Sequence, residues 1–124
     1  MVNNIDWIEF RTENVQKTAE FYEKLFGWKV IQKLDIEGTP YWIFDTFSPS
    51  REENIRRGAI WLRPNEAPRI VVYILVDDIN KKLKKVKKFG GKVIKEKTHI
   101  NRGRFMAEIT DPNDNMVALW EEKG

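Results

Sequence analysis

Residues 10–30, FRTENVQKTAEFYEKLFGWKV, read as a strand end, a helix, a glycine stop and the start of a second strand. Residues 74–94, ILVDDINKKLKKVKKFGGKVI, give the same reading 64 positions later. Thr12 or Asn14 can cap the first helix and Asp77 or Asp78 the second, since short polar side chains accept the first free N–H groups. Val15, Ala19, Tyr22, Leu25 and Phe26 fall at helical spacing, and the second helix is expected to reach Phe89. At this offset Phe10 pairs with Ile74, Val15 with Ile79, Gly27 with Gly91 and Val30 with Ile94.

The repeat extends outward from there. Ile5 to Phe10 and Arg69 to Val76 alternate as strands ahead of the helices. Behind them, Thr39 to Phe47 and Arg104 to Thr110 are rich in β-forming residues, and Trp42 and Phe44 align with Met106 and Glu108. Ala59 to Arg63 and Met116 to Glu121 end each half, pairing Ala59 with Ala118 and Trp61 with Trp120 at an offset of 59. The shortfall lies in the polar segment Ser48 to Arg57, expected as a loop, whereas Asp111 to Asn115 reads as a tight turn. One βαβββ unit thus occurs twice, in modules of about 1–64 and 65–124, within one domain spanning 1–124.

Composition narrows the classes. Of 124 residues, 41% are hydrophobic and 33% charged, ordinary for a globular chain, and no apolar run approaches the length of a membrane span. No secretory pattern opens the chain, so a cytoplasmic location is expected. Without cysteine there is no disulfide, thiolate nucleophile or thiolate metal site. Eleven basic residues against Glu96 alone occupy Lys81 to Arg104. Their lysines alternate with Leu83, Val86 and Phe89, which reads as the solvated face of an amphipathic helix rather than a nucleic-acid surface.

Phe21-Tyr22-Glu23-Lys24-Leu25-Phe26-Gly27-Trp28, Val76-Asp77-Asp78-Ile79, Gly90-Gly91-Lys92-Val93 and Asp111-Pro112-Asn113-Asp114-Asn115 resemble the vicinal oxygen chelate superfamily. That group includes glyoxalase I, extradiol dioxygenases and bleomycin-resistance proteins. The resemblance implies an α+β fold in which two βαβββ modules form a curved, partly open eight-stranded barrel with helices outside and a concave pocket. It also implies a homodimer, the state of many members of this length. Asp114 stands where the family usually has glycine.

Enzymatic members hold a divalent metal through His or Glu side chains on the first and last strand of each module. The matching positions here are Trp7, about Ala59, about Val71 and about Ala118, none a ligand. A slip of one residue offers Ile8, Ile60 or Val72, and Leu119, equally inert. No metal and no other cofactor is therefore expected. His99, the single histidine, is expected in a solvated loop.

Strand alternation then names the side chains sharing the concave face: Trp7, Glu9, Trp42, Trp61, Tyr73, Glu108 and Trp120, with Ile5 and Arg11 on the same parity. They either line a ligand pocket or fill a closed core or dimer contact; their placement where relatives keep the substrate favours the pocket. Such a cage suits a small aromatic or cationic molecule. Glu9 is either a desolvated acid or base with a raised pKa or the partner of Arg11 or Arg63. Three functions stay open: metal-free binding of a small molecule, a lyase or isomerase using a pocket carboxylate, and a non-enzymatic dimeric module with a filled pocket. No catalytic residue follows from the sequence.

Overall fold

The computed structural model describes residues 3–46 and 58–123; the segment Ser48 to Arg57, expected as a loop, lies outside the described residues. The elements follow in the order β1 (Asn4–Thr12), α1 (Val15–Phe26), β2 (Lys29–Ile36), β3 (Thr39–Asp45), β4 (Gly58–Leu62), β5 (Arg69–Leu75), α2 (Ile79–Val86), β6 (Lys92–Asn101), β7 (Arg104–Thr110) and β8 (Met116–Glu122). The fold is α+β, with βαβββ twice. Two compact units result, residues 8–70 and residues 1–7 with 71–124. No described helix is long and apolar enough to cross a membrane.

In the unit of residues 8–70 the strand order is β2-β3-β4-β1, antiparallel except for the parallel pair β4 and β1. Asn14 rather than Thr12 caps α1, its Oδ1 accepting from the Lys17 N–H at 2.9 Å. Val15, buried, opens the helix and packs with Phe44 and Ile60. Ala19, Trp28, Trp42 and Phe10 complete this helix-side core. Its aromatic rings stack: Trp28 lies 5.4 Å from Phe44 and 5.1 Å from Tyr22, both nearly coplanar. Such pairs add roughly 0.5–1.5 kcal/mol beyond burial. A residual cavity of about 10 Å³ among Phe10, Tyr22, Trp28 and Phe44 has room for no more than a water.

The second unit repeats the plan as β6-β7-β8-β5, with β5 and β8 parallel. Asp78 rather than Asp77 caps α2 through the Lys81 N–H. Ile79, fully buried, joins Val76, Ala107 and Leu119 with Leu83 beside them. Leu83 and Ile79 therefore face the sheet while the intervening lysines stay outside.

Three expectations need correction here. The second helix ends at Val86, not Phe89, because the Phe89 N–H is shared between the carbonyls of Lys85 and Val86 and the Gly91 N–H turns back to Val86. Phe89 is left 67% exposed. His99 lies in a strand, not a loop: β6 runs on to Asn101, with His99 opposite Phe105 and the two rings edge to face at 5.2 Å. The third correction is the fixed offset of 64. Taking residues with equivalent partners on the next strand, Val30 and Val93 stand 63 apart, Leu34 and Thr98 64, and Ile36 and Asn101 65. β6 passes three register irregularities where β2 has one, and each bulge inserts a residue. Ile94 is accordingly 53% exposed rather than the counterpart of Val30, and the left-handed residue after α2 is Gly90, matching Gly27.

Candidate functional site

Register assigns each side chain to a face. In residues 8–70, Glu9 stands opposite Ala59, which stands opposite Ile43. Arg11 stands opposite Trp61, itself opposite Tyr41 and then Leu34. This is the face away from α1. Phe10, Ile60 and Trp42 form the alternate row, on the α1 side. The face away from α1 is nonetheless buried: Glu9 and Ala59 are 0% exposed and Trp61 2%.

A charged network crosses this face. The Arg11 Nε donates to Glu9 Oε1 at 2.8 Å, so the salt bridge, one of the two readings of Glu9, is the one formed. Arg11 Nη1 also lies 3.6 Å from Glu66 Oε1. Glu66 Oε2 accepts from Arg63 Nε and Nη2 at 3.1 and 2.8 Å, and Arg63 Nη1 reaches Glu37 at 3.4 Å. Both guanidiniums sit over the Trp61 ring, Arg11 at 5.3 Å and Arg63 at 4.2 Å from its centre. Trp61 donates its indole N–H to Thr39 Oγ1 at 2.8 Å and meets Tyr41 edge to face. Partial burial pushes the Glu66 pKa up, but the Arg63 hydrogen bond and the charges of Arg63, Arg11 and Arg69 outweigh it and hold the carboxyl below its ordinary value.

The other unit carries its own face of this kind. Tyr73 stands opposite Ala118 and Ala118 opposite Glu108, while Trp120 stands opposite Leu75 and Met106. Trp7 and Trp120 pack on a buried cluster of Val71, Tyr73, Met106 and Ala118, and the Trp120 indole donates to Asp6. Glu108 is buried, opposite Lys95 on its other side. Ile5, on the expected parity, is 70% exposed and belongs to no face of the core.

The seven residues singled out by alternation thus divide, Glu9, Trp42 and Trp61 in one unit and Trp7, Tyr73, Glu108 and Trp120 in the other. Trp42 is misplaced in the expectation: it faces α1, with Lys33 over its ring at 4.2 Å. The cause is the one-residue drift, since Ile43, not Trp42 or Phe44, is the β3 counterpart of Glu108. A sequence signal for the true register existed in Glu37-Gly38 and Arg102-Gly103, hairpin turns 65 apart with positive φ at all four residues. Reading them would have brought Tyr41 onto the site face. Glu66 and Thr39 were missed as site residues because Arg11 and Trp61, which they meet, are remote in the chain, and Arg63, considered only as a partner of Glu9, pairs instead with Glu66 and Glu37.

Glu121 was missed too. It is 1% exposed, on the α2 side, where it accepts from the Ile79 N–H at 2.7 Å and from Lys97 and Lys123. Burial raises its pKa, and the helix N–H and the two ammonium groups more than reverse that.

The residues at the four family metal positions do not fit a divalent cation. Indole, two methyl groups and an isopropyl group stand there, with Ala59, Val71 and Ala118 at 0% exposure. Among the described residues no group of three or more His, Cys, Asp or Glu side chains is placed to hold a metal ion.

Residues 4–119 match the model of the Glyoxalase/Bleomycin resistance protein/Dioxygenase superfamily. The chain is 28% identical over 121 residues to proteins of Mycobacterium bovis and Mycobacterium tuberculosis named "Putative glyoxylase CFP32"; the match takes in 94% of this chain and 44% of theirs, so the chain spans less than half the length of these relatives. Among solved structures, it resembles methylmalonyl-CoA epimerase from Mycobacterium tuberculosis, at a TM-score of 0.69 and 12% identity over 99% of this chain and 90% of that one. The hypothetical protein BH1468 of Bacillus halodurans gives 0.70 and 18% identity over 98% and 95%. At such identities the likeness is one of fold. The repeated βαβββ unit and the match across both of its copies place this chain in the Glyoxalase/Bleomycin resistance protein/Dioxygenase superfamily.

Proposed function

We propose that the chain is a metal-independent binding protein for a small aromatic molecule, held on the β1–β4–β3 face of residues 8–70. The observation that carries this is the Glu9–Arg11–Trp61–Tyr41 arrangement around Ala59: fixed charges beside two aromatic rings, with a methyl group at the metal-ligand position. An apolar surface with few, rigid polar groups is the usual make-up of a small-molecule site. A cationic ligand is disfavoured, because Trp61 and Trp42 already lie under the chain's own cations. Glyoxalase chemistry is disfavoured by the side chains at the metal positions.

Burial supports a second reading, that this face is simply filled core: Glu9 and Trp61 are almost wholly covered. As for proton transfer, a carboxylate paired with a guanidinium is a weak base, which counts against Glu9 in any lyase or isomerase reading. The test is intrinsic tryptophan fluorescence in the presence of EDTA against indoles, phenols and benzoates. A saturable response that Trp61→Phe removes supports the binding reading; a flat response across the panel supports the filled core.

A further inference from the structure

Within that binding reading, we propose that the Glu66 carboxylate stands in for a carboxylate on the ligand, so that the site takes an aromatic carboxylate which displaces Glu66 from Arg63 and Arg11. The two sides of this ion pair differ in how firmly they are held. Arg11 is fixed, its side chain 2% exposed and tied to Glu9 at 2.8 Å. Glu66 is the movable partner, 34% exposed and carried on residues 64–68, outside any strand, with one long turn hydrogen bond from its N–H to the Arg63 carbonyl at 3.3 Å. A side chain on such a turn leaves at small cost compared with one on a strand.

Charge balance then selects the ligand. When Glu66 swings away, two guanidiniums over one indole ring lose an anion. A neutral or cationic ligand leaves that loss standing, whereas a carboxylate restores the count and can offer a two-oxygen fork to a guanidinium. Glu66 itself spends one oxygen on both Arg63 donors and turns the other to Arg11. Arg63 joins this position to the Trp61–Tyr41 ring pair, of which Trp61 is buried and Tyr41 half-buried, so an aryl group joined to the carboxylate is directed to the Tyr41 side of the pair. The depressed pKa of Glu66 accords with a position that favours an anion.

The test uses benzoate and its neutral isostere benzamide, titrated while following the Trp61 indole N–H signal by ¹⁵N NMR in the whole chain. That proton is hydrogen-bonded to Thr39, beside the proposed site. Benzoate is expected to move the signal saturably and benzamide much less. Glu66→Gln is expected to tighten benzoate about fivefold or more by removing the internal competitor, without tightening benzamide, and Arg63→Met to weaken benzoate. Glu66→Ala serves as the second variant, and the dispersion of the remaining signals reports folding. Equal tightening of both compounds, or weaker benzoate binding in both Glu66 variants, overturns the carboxylate proposal while leaving the aromatic site standing. If neither compound moves the signal in the native chain or the Glu66 variants, the carboxylate proposal falls, while the binding reading is decided separately by the indoles and phenols of the fluorescence panel.

Discussion

At Glu9 and Arg11 two charges share a space from which water is almost excluded. Removing one partner takes the ion pair from a buried charge, at a cost of about 3–5 kcal/mol. Arg11→Met is therefore expected to lower the unfolding free energy by that order in urea titrations, and Glu9→Gln/Arg11→Met to recover most of it. A double variant no better than the single would show that the pair is not the unit. Glu121 behaves differently, because it binds a helix N-terminus as well as two ammonium groups. Its folded pKa lies below the ordinary 4.5, so its contribution is present above that value and is lost as pH falls through the lower folded one. Glu121→Gln is expected to cost about 1–3 kcal/mol at neutral pH and to flatten the stability curve on the acid side, measured by urea midpoints from pH 7 downward. An acid limb as steep as the native one would remove Glu121 as its source.

At the level of elements, helices and caps were legible because their signals are local: Asn14 and Asp78 before Val15 and Ile79 mark the same turn twice. The face of β3 was not, since a bulge inserts a residue without altering composition, and β6 contains more of them than β2. Only the two hairpin turns preserve the register. Gly38 and Gly103 both adopt positive φ, where a side chain costs roughly 1–2 kcal/mol. They differ in surroundings: a Cβ on Gly38 meets nothing, whereas one on Gly103 comes within 2.7 Å of the Lys123 carbonyl. Gly38→Ala is expected to lower stability by about the backbone strain alone and Gly103→Ala by distinctly more, read from thermal or urea unfolding. Equal losses would contradict the contact.

Across the whole molecule, the chain keeps the βαβββ repeat of its superfamily, and the positions that the resemblance assigns to metal ligands carry indole, methyl and isopropyl groups. Those positions were readable from the sequence because they need only the first and last strands, whose parity the bulges do not disturb: Ala59 and Ala118 occupy equivalent places beside Glu9 and Tyr73. The Arg63–Glu66–Arg11 network was not readable, since it joins β1 to the connection between β4 and β5 through side-chain lengths and a turn. The most direct measurement is a calorimetric titration of the purified, chelator-treated chain with cobalt(II) at neutral pH. Heats no greater than those of scattered surface carboxylates are the predicted result; saturable binding of one ion per chain, abolished by changing residues on the strand faces described, would contradict it.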